Sequence, residues 1–149
     1  MAPPTYAFLT VADVNSRIRD EHRNDLRDWD PEAASGPTND EAVSNAVELS
    51  CESMALGKVR SALAQRYDVD ALFAATGDDR DPLLVLHTLN VFAYLLYRRI
   101  NPRKVPEVVK EDHDETLAWL DRVAAGKEAP DFPAIQPDTD NAGLPRFGR

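Results

Sequence analysis

Apolar residues recur at helical spacing in four stretches of the chain, and the segments between and after them are rich in turn formers. In the first stretch Val11, Val14 and Ile18 form a stripe, with Asp13, Arg17 and Asp20 outside it, which predicts a short helix from Val11 to about Asp20. Thr10-Val-Ala-Asp13 has the spacing of a capping box, with Asp where Glu or Gln is usual. The second stretch, Ala42 to Leu63, predicts one long helix that Thr38, Asn39 or Asp40 can cap. Leu49, Leu56 and Leu63 follow one another by sevens along it. Ala46, Ser50, Ser53 and Gly57 supply a strip of small residues along which another helix can approach. Gly57 costs up to about 1 kcal/mol relative to Ala in a helix interior, and close packing is a reason to keep it.

The third stretch, Leu83 to Ile100, is apolar on nearly every face and reads as the central helix of a bundle. Asp81-Pro82 suits its start, and Arg98 and Arg99 suit the negative pole at its end. The fourth runs from Pro106 to a stop at Gly126, with Val109, His113, Thr116, Leu117, Leu120 and Ala124 on one stripe. Residues 66–80 fit either a short strand or a helical turn. Glu21 to Asn39 shows no period and reads as a long acidic surface loop whose large apolar groups are Leu26 and Trp29. The expectation is a mainly α, four-helix bundle-like domain over residues 5–127, followed by an extended Pro-rich C-terminal arm over 128–149. Phe132, Ile135, Leu144 and Phe147 are the large apolar groups of that arm, too few and too scattered to form a core of their own.

A chain of 149 residues fits a single domain burying about 68–70% of its unfolded surface. Its 26 acidic and 17 basic residues leave a formal charge of −9. Between Asp13 and Glu52 the carboxylates face only Arg17, Arg19, Arg23 and Arg27. A domain that grips nucleic acid needs Lys and Arg to displace counterions, so this balance argues against one. It is compatible with a wall that DNA passes without sticking. Cys51, as the sole cysteine, excludes an intrachain disulfide and a Cys-based zinc or CxxC motif. The N-terminus lacks the basic and apolar regions of a secretory signal, and the apolar helix is at the short limit for a bilayer span.

The densest ionisable run, Glu111-Asp-His-Asp-Glu115, does not read as a metal site, because only Glu111 and Glu115 share a helix face. Asp68-Val-Asp70 and Gly77-Asp-Asp-Arg-Asp81 lack the ligand alternation of a calcium loop and read as turns and caps. Cys51 reads as a buried apolar packer and His87 as a core histidine with one satisfied hydrogen bond. GxSxG, HExxH and phosphate-cradling glycine loops are missing from the sequence. The reading is therefore of a non-enzyme with no catalytic, metal or cofactor-binding residue.

Four motifs in order carry a resemblance. They are Tyr6 with Thr10-Val-Ala-Asp13; Ala46, Ser50, Ser53, Val59 and Leu63 running into Arg66-Tyr67; Pro82-Leu83 leading to Ala93-Tyr94-Leu95-Leu96-Tyr97-Arg98-Arg99; and Pro106-Glu107 through Ala118-Trp119-Leu120 to Gly126. In this order they resemble the small helical head-completion proteins of tailed bacteriophages, including Mu-type phage and prophage members. The chain departs from that pattern in the acidic insertion between Glu21 and Asn39, in Asp112-His113 where an Arg-Tyr pair is common, and in the long tail. The resemblance implies a structural virion protein, a head-tail connector of the neck that assembles in the host cytoplasm. It implies a homo-oligomeric ring, commonly of twelve copies, beneath the portal protein. A stopper or tail-completion protein attaches below, and genomic DNA passes through the lumen without sequence-specific binding and without a membrane. Leu26, Trp29, Phe132, Ile135, Leu144 and Phe147 are the candidate protein-interaction residues. The alternative reading is a small acidic helical protein that regulates or inhibits a host or phage nucleic-acid enzyme. An enzyme with a dispersed acidic, metal-dependent site is a further alternative.

Overall fold

The Thr10 hydroxyl accepts the Asp13 backbone N–H at 3.2 Å while the Asp13 carboxylate accepts the Thr10 N–H at 2.8 Å, so the capping box forms as the spacing requires. It opens α1 (Val11–Arg17), after which Ile18 is extended yet buried. The helix is thus shorter than its apolar stripe, because Ile18 reaches the core from extended backbone. The computed structural model describes residues 4–18, 41–100 and 102–135. The acidic segment between Glu21 and Asn39 lies outside those residues.

Helix α2 (Glu41–Leu63) turns a different face inward from the one its leucines suggest. Val47, Cys51, Ala55, Val59 and Leu63 are all buried and follow one another by fours, forming the i±4 ridge by which helices interdigitate. Leu49 is 37% exposed and Leu56 half-buried. The small-residue strip of Ala46, Ser50, Ser53 and Gly57 faces outward, and a Cβ added at Gly57 would meet nothing within 4 Å. One glutamate, Glu52, explains the rotation. Glu48 and Glu52 flank the buried ridge and are themselves buried. The Glu52 carboxylate accepts three successive backbone N–H groups, from Ala7 at 2.6 Å, Phe8 at 3.1 Å and Leu9 at 2.8 Å. Those charge-assisted bonds repay the removal of Glu52 from water.

Of the two readings left open for residues 66–80, the helical one holds for α3 (Val69–Ala74), where Asp68 accepts the Ala71 N–H, and a 3-10 turn follows at Gly77–Asp79. Asp81 accepts the N–H groups of Leu83 and Leu84 and starts α4 (Pro82–Ile100). This helix packs against α1, α2 and α5 (Glu107–Ala124), with Leu84, Thr88, Phe92 and Leu96 fully buried. Helix α5 lies on α2 and α4 through Val109, Thr116, Trp119, Leu120 and Val123. The result is a mainly α, bundle-like arrangement around α4. Among the described residues no helix is long and apolar enough to cross a membrane.

The C-terminal end of α5 is held by Arg66, whose Nε donates to the Ala124 carbonyl at 3.0 Å. Gly126 then takes φ of +75°, the left-handed turn that glycine adopts without a Cβ penalty. The chain keeps packing beyond Lys127. Phe132 is buried edge-on against Tyr67 and Trp119, with ring centroids 5.4 and 6.3 Å apart, while Ala134 forms an isolated antiparallel bridge with Tyr67.

Candidate interaction site

A buried polar chain fixes how α1, α4 and α5 sit against one another. Arg17 pairs with Asp112 and donates to Asn90 Oδ1 at 2.8 Å. Arginine offers only donors, so the Asn90 oxygen must face it, which leaves Nδ2 to donate to the Thr116 hydroxyl at 3.1 Å. The same hydroxyl lies 2.9 Å from His87 Nδ1, and the His87 ring stacks on Trp119 at 4.0 Å. Burial lowers the His87 pKa, so the ring is held neutral inside the bundle. A second joint ties the N-terminal segment to α4. Arg80 reaches both Asp13 oxygens, at 2.6 and 3.4 Å, and the Phe8 carbonyl at 3.0 Å. Burial would raise the Asp13 pKa, but the bonds from Arg80 and Thr10 outweigh it and bring the value down. These joints tie the N-terminal segment, α1, α4 and α5 to one another. Burial pushes the Cys51 thiol up to about 11, which keeps it protonated and unreactive.

The run from Glu111 to Glu115 is divided among different neighbours. Asp112 pairs with Arg17, His113 stacks on Tyr94 at 3.8 Å, and Asp114 is largely in water. Among the described residues no three His, Cys, Asp or Glu side chains are grouped to hold a metal ion.

Two apolar-floored depressions open on the exposed side of α2. One, of about 620 Å³, lies between the N-terminal segment and α2, bounded by Tyr6, Leu49, Leu56, Gly57 and Arg60. The other, of about 310 Å³, lies between α2, α4 and α5 and is floored by Met54, Tyr94, Leu95 and Leu117. A family model described as bacteriophage Mu, Gp36 matches residues 8–147. The chain belongs to the bacteriophage Mu Gp36 family. No curated protein and no solved structure matches it.

Within this Mu Gp36 family member the motif residues sit at the joints of the fold. Arg66 caps α5 and Tyr67 holds the returning chain; Tyr94 and Trp119 each stack on a histidine. Of the candidate interaction residues, Leu26, Trp29, Leu144 and Phe147 lie outside the described residues. Phe132 is not free for a neighbour: it is buried in its own subunit, because Tyr67 and Trp119 form a ready aromatic seat for it. Ile135 is 51% exposed. Sequence reasoning missed the exposed face of α2 and the two depressions beside it. The signal in the sequence is the strip of small residues, of which Ser53 and Gly57 border the larger depression.

Proposed function

We propose that this protein is the head-to-tail adaptor of a tailed phage: a structural virion protein, not an enzyme, that forms a homo-oligomeric ring beneath the portal. The observation that carries this reading is membership of the Mu Gp36 family over residues 8–147, joined to four motifs that resemble head-completion proteins and occupy the joints of the bundle. A rigid bundle with adhesive surfaces suits a wedge in a ring, since identical head-to-tail contacts close when the rotation per copy is right. The net charge of −9 suits a lumen through which DNA slides without being gripped. The ring takes the portal protein on one side and a stopper or tail-completion protein on the other. It needs no cofactor and no membrane, and it assembles in the host cytoplasm before residing in the virion neck.

Cryo-electron microscopy of the virion, and of the protein mixed with its own portal, tests this. A ring of density below the portal that fits the bundle supports it. A neck without the protein, together with a purified monomer that does not bind portal, overturns it and points to the acidic regulator instead.

A further inference from the structure

The groove between α2, α4 and α5 has a charge opposite to that of the molecule as a whole. Met54, 53% exposed, and the half-buried Leu95 and Leu117 give it an apolar floor, and the stacked Tyr94 and His113 rings form part of its wall. At its rim stand two exposed cations from different helices, Lys58 of α2 and Arg98 of α4, the latter 6.0 Å from the centre of the Tyr94 ring. Both line the same depression as His113. Asp114, 3.7 Å from His113 Nδ1, has a side chain 65% exposed to water. An apolar slot of about 310 Å³ between two cations fits a large apolar side chain bracketed by carboxylates.

The chain carries that pattern in Asp28-Trp29-Asp30. Its other tryptophan, Trp119, is buried. We infer that the Asp28-Trp29-Asp30 segment of a second copy docks in this groove, the indole on the apolar floor and the two carboxylates toward Lys58 and Arg98. Tryptophan seated in a desolvated pocket is a common anchor of protein interfaces. Each copy offers one segment and one groove, so the contact can pass head to tail from copy to copy, as a ring requires. The inference rests on the ring reading and gives that ring its contact.

The test uses full-length Trp29→Ala protein, whose own segment cannot compete, and a fluorescein-labelled peptide of residues 24–34 followed by anisotropy. The expected result is saturable binding that Lys58→Glu/Arg98→Glu weakens about tenfold or more, and that Lys104→Glu, an exposed cation outside the groove, leaves unchanged. Absence of saturable binding, or equal binding by the double variant, overturns the inference. Zero-length carbodiimide cross-linking of wild-type protein, mixed from two isotopic labels, then decides which copy supplies the segment. Mixed-label pairs joining Lys58 to Asp28 or Asp30 support a second copy. Their absence overturns it. Rings formed with portal by the Lys58→Glu/Arg98→Glu variant would sink the docking and leave the ring reading standing. Peptide binding and mixed-label pairs from a protein absent from the neck would do the reverse.

Discussion

The guanidinium of Arg66 occupies the space into which a side chain at Gly126 would project: a Cβ built there would lie 2.5 Å from Nη2. Position 126 is held to glycine by its φ of +75°, while the Arg66 guanidinium, the far end of a flexible side chain, would have only to shift aside. Gly126→Ala is expected to destabilise the fold by about 1–2 kcal/mol. Gly57 is the internal control, since its added Cβ meets nothing and its backbone is helical. Gly57→Ala should stabilise by about 0.5–1 kcal/mol. Urea denaturation of both variants checks the opposite signs.

Glu52 joins the N-terminal segment to a helix 43 to 45 residues away through three backbone N–H groups. Glu52→Ala leaves those donors without their acceptor and should cost roughly 2–4 kcal/mol. Hydrogen exchange gives the specific readout. The amides of Ala7, Phe8 and Leu9 should lose protection beyond the global loss, and uniform protection across the variant would contradict the clamp.

His87 makes stability depend on pH in a known direction. Burial holds its folded-state pKa below the ordinary 6.5, so between the two values the unfolded chain binds a proton that the folded chain does not. Its contribution is full above 6.5 and is lost as pH falls below it; His113, lowered chiefly by burial, acts in the same sense. Melting temperature is expected to drop from about pH 7.5 to about pH 5.5, with a shallower slope in His87→Gln. Asp13, whose pKa lies below 3.8, gives up its contribution only in more acid solution, so the two windows separate.

Phe132 changes how the C-terminal arm has to be tested. A chain cut after Lys127 loses a buried aromatic ring and should lose about 3–5 kcal/mol. A chain cut after Ile135 keeps the Tyr67 and Trp119 contacts and the bridge to Ala134. Thermal melts of the two truncations should differ sharply, and only the longer one is fit for assembly assays of the arm.

The local signals in the sequence were legible because they depend on near neighbours. Thr10 with Asp13, Asp81 before Pro82 and Gly126 after α5 all act within three residues, and each stands where its spacing put it. The facing of α2 was not legible in the same way. Its orientation is decided by Glu52 finding donors in residues 7–9, a contact across more than forty residues, and a rule that keeps charge outside turns the helix the wrong way. Phe132 was misplaced for a related reason. Four isolated apolar groups cannot build a core, yet one of them can complete a core whose aromatic seat, Tyr67 and Trp119, is supplied from elsewhere. The grooves beside α2 were invisible because one exists only once the N-terminal segment lies on α2 and the other only once three helices are set side by side.

Helix α2 also acts as a ruler. Its 23 residues span about 34 Å, and the 22-residue segment carrying Trp29 enters at its first turn. The bridge between Tyr67 and Ala134 fixes, just past its last turn, the point from which residues 136–149 depart. The points at which those two segments join the helix end and the bridge are thus kept apart by the length of one rod. Lengthening α2 by a turn would move their roots apart by one helical pitch while swinging one of them only slightly around the axis.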